Sequence, residues 1–150
     1  MGFTSGFGTG FAALILALAA SPVAAATGAP VDVDISGVRN ARGAILVCLT
    51  ADPKAYPDCG RDPKSRKLSI PARPSDTARF DNVPPGTYAI ALIHDENSNT
   101  KMDLAVFLPK EGFGMSRNPK IGFGPPKFKS AQFSVGADPV RLPITMRYMF

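Results

Sequence analysis

The chain has one histidine and two cysteines in 150 residues, and no charged side chain among its first 26. One imidazole and two thiols make a poor zinc set, because structural zinc takes four Cys or His ligands. Cys48 and Cys59 lack the C-x-x-C spacing of a dithiol redox centre. Ser116 has no G-x-S-x-G context, and no glycine-rich loop of the kind that cradles phosphate is present. No basic tract interleaved with aromatics occurs, which removes nucleic acid as a partner for an exported chain. Apolar residues nowhere recur with a convincing helical period.

The uncharged N-terminus centres on the apolar block Phe11 to Ala20, followed by Ser21-Pro22 and small residues. This pattern is that of an export signal, with an A-x-A site at Ala24-Ala25-Ala26 and Thr27 as the expected mature N-terminus. The block is too short to span a bilayer, and no other segment is a candidate. The expected layout is a signal peptide over 1–26 and one domain over 27–150, in a periplasmic or extracellular protein. A formal charge of +5 comes from Lys and Arg spread between Arg39 and Arg147. Dispersed charge of this kind reads as a solvated basic surface, with attraction to anionic envelope components as the alternative.

Export makes oxidation favourable, so Cys48 and Cys59 are expected to form a disulfide closing the turn-rich "CLTADPKAYPDC". Strand periods surround it. "VDVDISG" alternates Val31, Val33 and Ile35 with Asp32 and Asp34, as in a half-buried strand. "GAILVCLT" is apolar on both faces, as in a central strand. "RKLSIPA" and "DTARFDNV" are more polar and predict edge strands. In "PPGTYAIALIH" a turn precedes a strand with Tyr88, Ile90 and Leu92 on one face and Ala89, Ala91 and Ile93 on the other. "AQFSVG" and "VRLPITMRY" restore alternation near the C-terminus, where Pro143 marks an edge. These strands, joined by Gly- and Pro-rich turns without helices, predict an all-β fold: a single antiparallel seven-stranded β-sandwich of transthyretin-like or immunoglobulin-like class with one long ordered loop.

"FDNVPPGTYAI" resembles the F-x-x-[VL]-P-x-G-x-Y-x-[VI] strand pair of transthyretin-like and carboxypeptidase-regulatory-like domains. Together, "GAILVCLT", "VPPGTYAIALIHDEN", "LPKEGFGMSRNP" and "FGPPKFKSAQFSV" resemble the bacterial exported family called domain of unknown function 2141. That resemblance implies an exported β-sandwich and no particular activity. The family's H-D-x-N-x-N-G-x-x-D hallmark falls on His94, Asp95, Asn97, Asn99 and Asp103, with Thr100 where glycine is usual. Phe107 likewise stands where family members have glycine, ahead of Leu108-Pro109.

Asp95, Asn97 and Asn99 occupy alternate positions of a tight loop, so three side-chain oxygens can converge as at positions 1, 3 and 5 of a calcium loop. Asp103 falls at position 9, the carbonyl of Lys101 at position 7, and Glu111 or Glu96 can supply a further carboxylate. Val106 at position 12 and Thr100 in place of glycine exclude an EF-hand, leaving a looser calcium site or a metal-free polar turn. A transition metal at His94 with Met102 or Met115 is a further alternative.

Residues 95–127 show no strand or helix period, so something must hold them in place. Phe113, Ile121, Phe123 and Phe128 are expected to pack over the outer face of the sheet, where Ala89 and Ala91 leave room. If this stretch also forms a ligand surface, His94, Phe113, Ser116, Phe123 and Phe128 are the residues to line it. The functional expectation is a non-catalytic binding or structural module for a protein or envelope component, with calcium at the 94–111 loop as the cofactor it would take. The alternative is a hydrolase centred on His94, whose imidazole otherwise reads as an anchor for the strand end.

Overall fold

The computed structural model describes residues 2–3, 27–105, 108–124 and 126–150, so nearly all of the expected signal segment lies outside the described residues. The elements in chain order are β1 (Ala29–Ser36), β2 (Ala44–Thr50), β3 (Arg66–Pro71), β4 (Asp76–Val83), β5 (Gly86–Asp95), β6 (Leu104–Ala105), β7 (Leu108–Pro109), β8 (Gly112–Met115), α1 (Phe128–Ala131), β9 (Phe133–Val135) and β10 (Val140–Thr145).

The alternation in β1 buries Val31, Val33 and Ile35 and leaves Asp32 and Asp34 on the opposite face. There Asp32 meets Arg79 of β4 at 2.9 Å and Asp34 meets Arg141 of β10 at 2.6 Å, so the carboxylates on the outer face are matched across strands. These pairs are solvated and add little stability, but they favour the register in which charges oppose. The resulting sheet has the order β10-β1-β4. A second sheet runs β3-β2-β5-β8, and β9 pairs with the first part of β5. Its inner residues Ile45, Val47, Leu49, Ile90 and Leu92 share one core with Val31, Val33, Ile35, Phe80 and Ile144 of the first sheet.

Edge positions follow the chemistry read from the sequence. β3 and β4 lie at sheet edges, β2 lies centrally, and Pro143 sits in the edge strand β10. Three features differ from expectation. There are ten short strands among the described residues rather than seven. β10 runs parallel to β1, the one parallel pairing among the described residues in an otherwise antiparallel set. The stretch 95–127 contains β6, β7 and β8, and a single helical turn, α1, follows it.

β8 escapes a pattern search for a steric reason. Its inward positions are Gly112 and Gly114, because Tyr148 and Ile144 lie directly over them. A Cβ on Gly112 would strike the Tyr148 ring. With one face reduced to glycine, the period-two hydrophobic signal is lost although Phe113 and Met115 are buried on the other face.

A second apolar cluster covers the outside of the larger sheet and includes Tyr56, Ala89, Ala91, Phe113, Met115 and Phe128. Tyr56 and Phe128 meet edge to face at 5.8 Å. Ile121 packs against this cluster, as expected, but Phe123 is fully exposed and contributes nothing to it. Cys48 and Cys59 form a disulfide that ties the 51–65 loop back to β2. Closing a loop of this length contributes about 3 kcal/mol by the chain-entropy argument. No helix among the described residues is long and apolar enough to cross a membrane.

Candidate functional site: the polar loop after β5

The last two residues of β5 take opposite roles because successive side chains in a strand point to opposite faces. His94 turns inward and is fully buried. Its Nε2–H donates to the carbonyl of Arg42 at 2.8 Å, which leaves Nδ1 to accept the hydroxyl of Tyr148, also at 2.8 Å. The Tyr148 oxygen in turn accepts the backbone N–H of Arg39 at 3.1 Å. Both ring nitrogens are therefore engaged within the fold. The imidazole joins the end of β5 to the chain before β2 and to the C-terminal segment.

Arg39 extends this cluster. Its guanidinium lies 4.5 Å above the Tyr148 ring and grips Glu96 with two hydrogen bonds, of 2.8 and 2.6 Å. Asn40 Nδ2 donates to the same carboxylate at 2.6 Å. Hydrogen bonding from Arg39, joined by Asn40 and only partly opposed by burial, holds Glu96 down at about 2, against an ordinary value of 4.5. A carboxyl with a depressed folded-state pKa contributes stability above its unfolded value and loses it as pH falls through the folded one. Acid titration of the unfolding free energy is expected to show a loss between pH 4.5 and about 2 that is smaller in Glu96→Gln. Equal slopes in the two proteins would remove this role for Glu96.

Asp95 turns to the other side and is equally buried. Its carboxylate accepts the backbone N–H of Asn99 at 3.0 Å and of Thr100 at 2.8 Å, folding the loop over it. Asn97 Nδ2 donates to Asp103 at 2.6 Å, and Asn99 Nδ2 donates to both oxygens of the same carboxylate at 3.1 Å. The side-chain amide oxygens of Asn97 and Asn99 accept the backbone N–H groups of Asn99 and Lys101. The loop thus brings Asp95, Asn97, Asn99 and Asp103 together. Lys101 joins them through its backbone.

Thr100 occupies the position where the hallmark has glycine, and its φ is +62°. A left-handed backbone costs an L-residue about 1–2 kcal/mol, and a β-branched one is among the worst placed to adopt it. Thr100→Gly is expected to raise unfolding stability by about 1 kcal/mol, once the greater freedom of glycine in the unfolded chain is set against the strain relieved. Denaturant unfolding checks this, and a lowered midpoint would contradict it.

Of the two glutamates considered for the loop, Glu96 is committed to Arg39 and Asn40, whereas Glu111 enters from the start of β8 and is 4% exposed. Glu111 Oε2 accepts the N–H of Asp103 at 3.3 Å, and its Oε1 is buried without a hydrogen-bond partner. Burial is the main influence raising its pKa, and the charges of Asp95 and Asp103 raise it further. The amides of Asp103 and Glu96 temper that shift, the latter without a hydrogen bond of normal geometry. Asp95, Asp103 and Glu111 form no ion pair among the described residues. No three Asp, Glu, His or Cys side chains among the described residues already surround one point as metal ligands. A cation here would need the amide oxygens and a backbone carbonyl as well.

The other residues expected at a ligand surface mostly lie inside. Ser116 is fully buried; its oxygen accepts the N–H of Ile90 at 2.9 Å and its O–H donates to the carbonyl of Ala131 at 2.6 Å. It bridges the point on β5 between the segment paired with β8 and the segment paired with β9. Phe113 and Phe128 are buried, and Phe123 alone is exposed. Ser116 and Phe128 are therefore parts of the packing, as is His94. Met115 packs in the outer apolar cluster and Met102 against it, so neither thioether shares a site with the imidazole. The Arg39–Tyr148 cluster around His94 joins residues far apart in the chain, which no local spacing signals.

No curated protein and no solved structure matches the chain. Residues 33–142 match a family described as uncharacterised proteins conserved in bacteria. That match covers most of the chain, from within β1 to within β10 and including the polar loop, and the chain belongs to this family, DUF2141.

Proposed function

We propose that the protein is an exported, non-catalytic binding or structural module on a transthyretin-like sandwich, whose 94–111 loop is organised by calcium. The observation that carries this reading is Glu111. A carboxylate with one oxygen buried and unpartnered, beside Asp95 and Asp103, is costly unless a cation compensates it. All candidate donors are oxygens: Asp95, Asn97, Asn99, Asp103, Glu111 and the carbonyl of Lys101. That is the chemistry of a hard ion taking six to eight ligands. The Asn97 and Asn99 amides now turned toward Asp103 supply the positive complement that a cation would replace, and rotation of each amide would present its oxygen instead. Affinity is expected in the weak extracellular range, a Kd on the order of 10⁻⁴ to 10⁻³ M.

A calcium-ordered loop would present the aromatic segment that follows it, where Phe123 is exposed, to a protein or envelope partner. Absence of catalysis is supported by the groups themselves, since both nitrogens of His94 and the hydroxyl of Ser116 are engaged inside the fold. The test is limited proteolysis and thermal unfolding in chelator and in millimolar calcium, with an Asp95→Ala, Asp103→Ala variant in parallel. Protection and a raised midpoint that the variant loses support the reading. Identical behaviour with and without calcium counts against it.

A further inference from the structure

Beneath the β6–β7 hairpin, the outer face of the larger sheet holds a trough of about 310 Å³. Its size lies at the lower end of the range for small-molecule sites. Ala91 and Phe113 form part of its floor, Leu104 and Leu108 its roof, and Met102 and Met149 are among its walls. Leu104 and Leu108 are 58% and 44% exposed, and Met149 is 43% exposed, so large apolar side chains at this trough face solvent. Among the described residues Asp58 is the sole lining residue with a polar side chain, and its carboxylate accepts the N–H of Gly60 at 2.6 Å. Methionines make such a wall adaptable in shape.

Pro57 and Pro126 line both this trough and a shallower depression that contains Lys127 and Lys129. Both lysines are exposed, and neither forms an ion pair among the described residues. An apolar trough leading to free cations on a chain of net charge +5 fits a ligand that is apolar at one end and anionic at the other. We propose that this trough binds a medium-length alkyl chain with an anionic head, the chain lying under Leu104 and Leu108 and the head at Lys127 and Lys129. The trough does not depend on the cation reading, although its roof is joined to the polar loop by the hydrogen bond from Lys110 N–H to the Asp103 carbonyl at 2.8 Å.

The experiment is isothermal titration of the purified protein with decanoate, octanoate and 1-decanol, in chelator and again in millimolar calcium. Decanoate is expected to bind saturably. Each methylene removed should weaken binding about fourfold, the value of one buried CH₂, so octanoate binds about 16-fold more weakly. Leu108→Glu, at a half-exposed position outside the core, should abolish binding without moving the unfolding midpoint. Lys127→Ala with Lys129→Ala should remove the preference for decanoate over decanol. No saturable decanoate binding in either buffer overturns the proposal, as does binding that Leu108→Glu leaves intact or an acid preference that survives loss of both lysines. Equal binding in both buffers supports the trough and leaves the cation reading to the unfolding experiment.

Discussion

Calcium at about a hundred times its Kd is expected to raise the unfolding midpoint by on the order of 10 °C, and Glu111→Gln is expected to abolish the rise without destabilising the calcium-free protein. Binding to the native state alone at that excess contributes about 2.7 kcal/mol. For a domain of this size each kcal/mol corresponds to several degrees. The behaviour without calcium is the more discriminating half. In chelator, ionising Glu111 places a charge on a buried carboxyl with an unpartnered oxygen, beside two other carboxylates that further oppose it. Glutamine keeps the shape, lets one oxygen accept the Asp103 N–H, and removes the charge.

The pH dependence has a definite sign. Because Glu111 has a raised folded-state pKa, its contribution to stability without calcium is present at low pH and is lost as pH rises through that value. Calcium needs the ionised form, so the calcium-dependent rise should shrink as pH falls into the range where Glu111 takes up its proton. Differential scanning calorimetry of both proteins, with and without calcium, checks all three statements. A calcium shift that persists in Glu111→Gln, or a variant markedly weaker than wild type in chelator, would sink the assignment.

What was legible in the sequence was whatever a short window can carry. Val31, Val33 and Ile35 alternate with aspartates because a strand has two faces, and the structure buries them accordingly. Ala89 and Ala91 announced an outer face with room on it, and Phe113 and Phe128 fill that room. The run from Asp95 to Asp103 was recognisable as oxygen-rich, and it folds into one hydrogen-bonded loop in which the amide nitrogens of Asn97 and Asn99 face Asp103. What was not legible depends on distant partners. β8 was hidden because its inward residues are glycines shaped by Ile144 and Tyr148. The parallel pairing of β10 with β1 joins Val31 to Val140, and no local pattern encodes it. Nothing near Glu96 or Glu111 says which belongs to the loop. The choice is made by Arg39 and Asn40, which draw Glu96 away on the other face of the chain.

His94→Ala is expected to lower unfolding free energy by about 3–4 kcal/mol, among the largest effects of any single substitution in this protein. Truncation leaves a cavity at a fully buried site, and cavities left by rings cost in this range. It also removes one hydrogen-bond partner from the Tyr148 hydroxyl and one from the Arg42 carbonyl at part-buried contacts, each worth about 1 kcal/mol. Tyr148→Phe should cost about 1–2 kcal/mol, since it removes one donor to the imidazole and one acceptor for the Arg39 N–H. The double variant should cost clearly less than the two single losses added, because both remove the same hydrogen bond, and residues in one network couple by about 0.5–3 kcal/mol. Chemical denaturation of the four proteins in the cycle measures that coupling. A catalytic imidazole makes the opposite forecast: its removal would abolish a hydrolytic activity while leaving stability nearly unchanged. An anchoring imidazole gives large, coupled stability losses, since it joins two points separated by 54 and 52 positions in the chain to the end of β5. Holding that strand end in place also holds Asp95, the next residue, from which the polar loop is built.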